Sequence, residues 1–185
     1  MTIPNIITIL RLLLVPAIVV MIGAQSWVGA FLLFLAAGIS DGLDGFIARR
    51  YDMRSELGAY LDAFADKALL VSIYVALSIA DVLPGWVAIL VVSRDVLILM
   101  AIMISWLMAR PVDIRPLKIS KINTAAQIGL AALVLANRAV EGAEFGKSLI
   151  ISAPWVIEGA TIAVVLLTLV SAGAYLTLWL RHMTD

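Results

Sequence analysis

Six mainly apolar stretches, each about 20 residues long, run through this chain with only short polar breaks between them. That is the length an α-helix needs to cross a bilayer. Backbone N–H and C=O groups find no water in hydrocarbon, so each stretch has to satisfy its own, as a helix does. The segments are roughly 5–23, 27–48, 56–79, 83–108, 119–138 and 152–180. The last is long enough to tilt or to extend past the bilayer. Gln25 and Ser26 fall in the first connection and Asp81 and Pro84 around the third, while Arg110-Pro111 through Pro116 breaks the chain between the fourth and fifth segments. Of 185 residues, 63% are hydrophobic and 14% charged, against about half and a quarter in soluble domains. The expectation is an all-α integral membrane protein with six transmembrane helices, forming one domain over 1–185.

Basic residues orient such a bundle. Arg49, Arg50 and Arg54 lie at the second connection, Arg110 and Arg115 at the fourth with Lys118 and Lys121 just beyond, and Arg181 near the C-terminus. The first and third connections carry none, and the fifth mixes Arg138 and Lys147 with Glu141 and Glu144. The positive-inside rule then places both termini and the second and fourth connections in the cytoplasm. In a bacterial cell that means the cytoplasmic (inner) membrane. No basic residue precedes Arg11 and no short apolar run ends at a small-residue cleavage site, so the first helix reads as retained. Trp27, Trp86 and Trp155 fall at the outer ends of their helices and Trp179 at the cytoplasmic side, an aromatic belt.

Several chemistries are excluded or disfavoured. The chain has no cysteine, which removes disulfides, thiolate catalysis and zinc–thiolate sites. Its one histidine, His182, lies near the C-terminus, which argues against histidine catalysis and histidine metal clusters. A net charge of zero implies no attraction to nucleic acid. Any metal has to be held by oxygen, which favours Mg²⁺, Mn²⁺ or Ca²⁺.

Four aspartates stand out against this apolar background: Asp41, Asp44, Asp62 and Asp66. Each carboxylate at the centre of a membrane helix costs roughly 2.5–3.5 kcal/mol, so four cost on the order of 10 kcal/mol unless something offsets them. Asp41 and Asp44 are three apart and Asp62 and Asp66 four apart, spacings that put each pair on one helical face. The pairs flank the Arg-rich second connection, so two antiparallel helices joined there bring them together near the cytoplasmic side. Clustered carboxylates repel and take up protons unless a cation is present. Two divalent ions balance four carboxylates, and paired ions about 3.5–4 Å apart recur in phosphoryl transfer. Gly42, Gly45 and Gly58 keep space free beside the carboxylates, and Arg49 and Ser55 are placed to meet a phosphate. Two other readings stay open: structural salt bridges to Arg49, Arg54 and Lys67, and a carboxylate-lined ion transporter.

The segment resembles the signature of the CDP-alcohol phosphatidyltransferase family, Asp-x2-Asp-Gly-x2-Ala-Arg-x8-Gly-x3-Asp-x3-Asp. Asp41, Asp44, Gly45, Ala48, Arg49, Gly58, Asp62 and Asp66 occupy all its fixed positions. Pro4-Asn5-x2-Thr8-x2-Arg11 is similar to the family's N-terminal stretch. Many relatives have Pro after the third Asp, where this chain has Ala63, a difference that straightens the helix and leaves the carboxylates in place. The resemblance implies a homodimeric six-helix fold and a reaction in which an alcohol attacks a CDP-linked lipid and CMP leaves. It implies that Asp41, Asp44, Asp62 and Asp66 ligate two Mg²⁺ or Mn²⁺ ions, with Asp66 also the general base. Gly45, Ala48, Arg49, Ser55, Gly58, Asn5 and Thr8 are carried over to the CDP-diacylglycerol site. Helix capping is an equal alternative for Asn5 and Thr8, and Arg11 either points inward or snorkels.

For the acceptor, Ser93-Arg94-Asp95 and Lys118-Ile119-Ser120-Lys121-Ile122-Asn123 look like the cardiolipin synthase branch, which joins CDP-diacylglycerol to phosphatidylglycerol. Phosphatidylglycerophosphate synthases, which use glycerol 3-phosphate, tend to carry a second Lys where this chain has Asn123. A phosphomonoester favours more cations than a diester, so one fewer Lys suits phosphatidylglycerol. Arg94, Lys121 and Lys118 are the candidates for the acceptor phosphate. The alternatives are an ion pair of Arg94 with Asp95, and anchoring of the two lysines to anionic headgroups.

Overall fold

A computed structural model describes residues 3–50, 56–108, 117–141 and 154–184, and among these it is helical apart from short turns. The six helices are α1 (Ile3–Gly23), α2 (Trp27–Arg50), α3 (Glu56–Ile79), α4 (Gly85–Leu107), α5 (Lys118–Glu141) and α6 (Pro154–Thr184). Each expected segment is present, with bounds moved by a few residues at most. By length and composition α4, α5 and α6 are long and apolar enough to cross a membrane, and α1 and α2 contribute the shorter apolar stretches Ile7–Gly23 and Trp27–Leu43 among the described residues. Asp62, Asp66 and Lys67 interrupt α3, whose longest uncharged run is 68–79.

Both tight helical hairpins end their first helix in the same way. Gln25 and Asp81 adopt φ of 55° and 54°, in the left-handed region that usually falls to glycine. The chain turns back through Ser26 N–H to Met21 C=O at 2.9 Å and Val82 N–H to Leu77 C=O at 2.9 Å. These bonds use carbonyls that the helix ends would otherwise leave unpaired.

The helices close into a ring. Among the described residues α1 packs on α2 and α3, α3 on α4, α4 on α6, α6 on α5, and α5 back on α2, with a lighter contact from α3 to α5. Among the described residues α2 and α3, though neighbours in sequence, show no contact with each other, and both pack on α1. The seam is apolar through Ile18, Ile22, Phe34, Ile73, Leu77, Val91, Leu130 and Val134. Leu13, Val20, Ile39, Met103, Trp106 and Leu166 are exposed, as suits a surface facing lipid. Polar side chains turn inward instead. On α6, Thr161, Thr168 and Ser171 share the buried stripe with Val164 and Tyr175, spaced three and four apart as one helical face requires.

Candidate active site

Asp41 sits nine residues before the end of α2, and Asp62 and Asp66 lie in the first half of α3. A rise of 1.5 Å per residue puts Asp66 about 15 Å along the axis from the start of α3. The structure brings these three together: one carboxylate oxygen from each lies within 4.8 Å of the other two. Among the described residues both helices pack on α1. Arg11 of α1 fills the centre, its Nη1 donating to Asp62 Oδ1 at 3.1 Å and Asp66 Oδ1 at 2.8 Å and standing 2.8 Å from Asp41 Oδ1. The Arg11 side chain is 0% exposed, whereas those of Asp41, Asp62 and Asp66 are 47%, 44% and 48% exposed. The cation is sealed in and the carboxylates are open.

The donor set fits a hard divalent cation. All three ligand atoms are carboxylate oxygens, they converge on one point, and Arg11 supplies one positive charge against three negative ones. Among the described residues, a methyl group built at Gly42, next to Asp41, would meet nothing within 4 Å. Gly58 lies one turn before Asp62. Thr8 is 5% exposed and lies one turn before Arg11 on α1, hence on the same face. Asp44, Gly45, Ala48, Arg49 and Asn5 lie on α2 and α1, with side chains outside the described residues, and Ser55 falls outside them altogether.

A second charged centre lies on the other side of α3. Lys67 Nζ is 2.5 Å from Asp95 Oδ2, and Asp95 Oδ1 accepts from Arg94 Nη1 at 2.6 Å. Arg94 Nη2 donates to Ser120 Oγ of α5 at 2.5 Å and to Ser171 Oγ of α6 at 2.8 Å, and Nε to Ser171 Oγ at 3.3 Å. Its guanidinium lies 5.6 Å from the ring centre of Tyr175, whose hydroxyl accepts from Leu117 N–H at 3.3 Å. Arg94 is 3% exposed. Of the two uses the sequence left open for it, the structure displays the pair with Asp95. Lys118 and Lys121 are exposed at the start of α5, the segment that Arg94 holds through Ser120.

Arg11 and Lys67 are what sequence reasoning left out of the site. The signal for Arg11 was an arginine inside an apolar helix, and it pointed equally to snorkelling. Lys67 was visible only as a salt-bridge partner.

Comparison with known proteins follows the same lines. The model of the CDP-alcohol phosphatidyltransferase family matches residues 1–170. The chain is 36% identical over 151 residues to the human protein named cardiolipin synthase (CMP-forming), covering 73% of this chain and 50% of that one. It is 34% identical over 181 residues to the chloroplastic CDP-diacylglycerol–glycerol-3-phosphate 3-phosphatidyltransferase 1 of Oryza sativa, covering 88% and 54%. With a probable phosphatidylglycerophosphate synthase of Mycobacterium tuberculosis it shares 38% identity over 97 residues, covering 49% and 46%. The chain thus spans about half the length of these curated relatives.

Proposed function

The chain belongs to the CDP-alcohol phosphatidyltransferase family, and on that premise we propose that it transfers the phosphatidyl group of CDP-diacylglycerol to phosphatidylglycerol, giving cardiolipin and CMP. One observation carries the proposal: Asp41, Asp62 and Asp66, from two helices, converge around a single point with their carboxylates open.

In this reading Asp66 takes the proton of the acceptor hydroxyl. The hydroxyl oxygen bonds to the phosphorus that carries diacylglycerol, and the bond from that phosphorus to the bridging oxygen breaks. CMP leaves with the electron pair. Asp41, Asp44, Asp62 and Asp66 would hold two divalent ions, Mg²⁺ or Mn²⁺. Such ions, when bound, screen the diphosphate and stabilise the charge leaving on CMP. Gly45, Ala48, Arg49, Ser55 and Gly58 would border the diphosphate, and Asn5 and Thr8 the nucleotide end. Lys118 and Lys121 are the exposed cations for the acceptor phosphate, and Arg94 contributes by fixing Ser120 between them. The protein works as a homodimer with both termini cytoplasmic, the side that supplies nucleotide and Mg²⁺.

A second acceptor, glycerol 3-phosphate, is favoured by the names of the rice and mycobacterial relatives. An ion transporter is the weaker reading, since the carboxylates cluster at one depth and do not line a path. CMP release from CDP-diacylglycerol with Mg²⁺, measured with phosphatidylglycerol and glycerol 3-phosphate supplied separately, decides. Release with phosphatidylglycerol is expected. Release with glycerol 3-phosphate alone overturns the cardiolipin assignment, and ion flux in liposomes without CMP release overturns the transferase.

A further inference from the structure

The transfer reaction as written makes no use of Arg11, yet Arg11 is the most completely buried charged side chain in the centre. Removing a guanidinium from water is costly unless its partners are close and well placed. Here one nitrogen, Nη1, stands 2.8 Å, 3.1 Å and 2.8 Å from oxygens of Asp41, Asp62 and Asp66. A point shared by three carboxylate oxygens is where a ligated cation belongs. These separations exceed a Mg–O bond of about 2.0–2.1 Å by roughly 1 Å. A divalent ion and the guanidinium nitrogen therefore cannot occupy the same point, and their like charges repel.

We propose that Arg11 is a displaceable competitor of a divalent ion: its guanidinium bridges Asp41, Asp62 and Asp66 and has to withdraw from them for an ion to enter. This inference rests on the metal-dependent reading above. The helix packing supports it independently. Among the described residues α2 and α3 do not pack on each other. Arg11, projecting from α1, is the ionic link from Asp41 of α2 to Asp62 and Asp66 of α3. Without a cation at that point, three like charges drive the two helices apart. Arg11 keeps the cradle formed, and in return it competes with the ion. Apparent metal affinity is lowered by whatever fraction of the protein has Arg11 seated. Arg11 is thus a positioning residue, acting on the ligands and not on the reacting atoms.

The test uses the full chain in detergent with Mn²⁺ as the probe, comparing wild type, Arg11→Met and Arg11→Lys. Bound Mn²⁺ is read by electron paramagnetic resonance, and the melting temperature is taken in EDTA and in Mn²⁺. Arg11→Met is expected to bind Mn²⁺ about tenfold more tightly or better, because a competing charge has gone. It should also melt lower in EDTA and gain more from Mn²⁺ than wild type does. Arg11→Lys, which keeps a cation but loses the guanidinium geometry, should fall between them, and it decides by the same sign if Arg11→Met does not fold. A merely structural Arg11 lowers the melting temperature without tightening Mn²⁺. Affinity in the variants that is unchanged or weaker overturns the competitor role while leaving the transferase reading intact. Absence of Mn²⁺ binding in wild type and in both variants overturns both.

Discussion

α3 feeds two charged centres built on opposite terms. Asp62 and Asp66 face Arg11 of α1, whereas Lys67, about 100° further round the helix, reaches Asp95 of α4. On the first side three carboxylates meet one guanidinium, and the carboxylates are nearly half exposed. On the second side Arg94 and Lys67 meet Asp95; Arg94 and Asp95 are buried, and Arg94 is also tied to two serine hydroxyls. Charge inside a membrane helix marks both centres, so charge alone does not tell them apart. What differs is the balance and the access. The first has surplus negative charge within reach of water, which calls for a further cation. The second has a short-range partner for each group, and it joins α3, α4, α5 and α6. The first is built to bind, the second to hold the bundle in register.

That contrast breaks most readily under removal of a single acid from each side. Asp66→Asn should cut turnover by on the order of a thousandfold, because it removes the proposed base and one ligand oxygen. Binding of CDP-diacylglycerol should persist, measured by equilibrium dialysis or a filter assay. The metal-free protein should melt no lower than wild type, since the change relieves repulsion in a cluster that already carries surplus negative charge. Near-normal turnover in Asp66→Asn removes the base assignment.

Asp95→Asn should do the reverse. It leaves Arg94 buried without an anion and Lys67 without its partner, and removing one member of a buried pair costs about 3–5 kcal/mol. Arg94 keeps Ser120 and Ser171, so the lower end of that range is expected, read by denaturation in micelles. Turnover per folded molecule should stay close to wild type. If Asp95→Asn loses activity without losing stability, the second centre belongs to the reaction and the division drawn here fails.

How much of this the sequence displayed follows from what each signal measures. Helix number and bounds were legible because an apolar run of fixed length and its polar breaks are local properties, and α3 begins and ends where the run does. The convergence of Asp41 with Asp62 and Asp66 was legible too, since their spacings define faces on two helices. The order of helices in space was not. Hydropathy cannot say that α1 packs on both α2 and α3, or that α2 packs on α5. Arg11 was missed for the same reason, because its partners come from helices 51 and 55 residues away in sequence for Asp62 and Asp66. For Arg94 the sequence offered a substrate phosphate, with its neighbour Asp95 as the alternative, and it could not show the burial among Ser120, Ser171 and Tyr175.

The smallest change tests the independence of the two centres. Ser171 is fully buried, and its hydroxyl accepts from Arg94 Nη2 at 2.8 Å and Nε at 3.3 Å. Ser171→Ala leaves Nη2 with Ser120 and Nη1 with Asp95, so the guanidinium loses part of its cradle and not its anion. Hydrogen bonds to charged groups contribute about 1.5–3 kcal/mol, and the partners that remain place the expected loss near the lower figure. Combined with Asp95→Asn, the two stability losses should fail to add, because both act on one side chain. Combined with Asp66→Asn, they should add within about 0.5 kcal/mol, since no polar contact described here links Ser171 to the aspartate cluster. A larger coupling in that second cycle means that strain passes through Lys67 from one centre to its neighbour, and α3 would then have to be treated as one polar network with two ends.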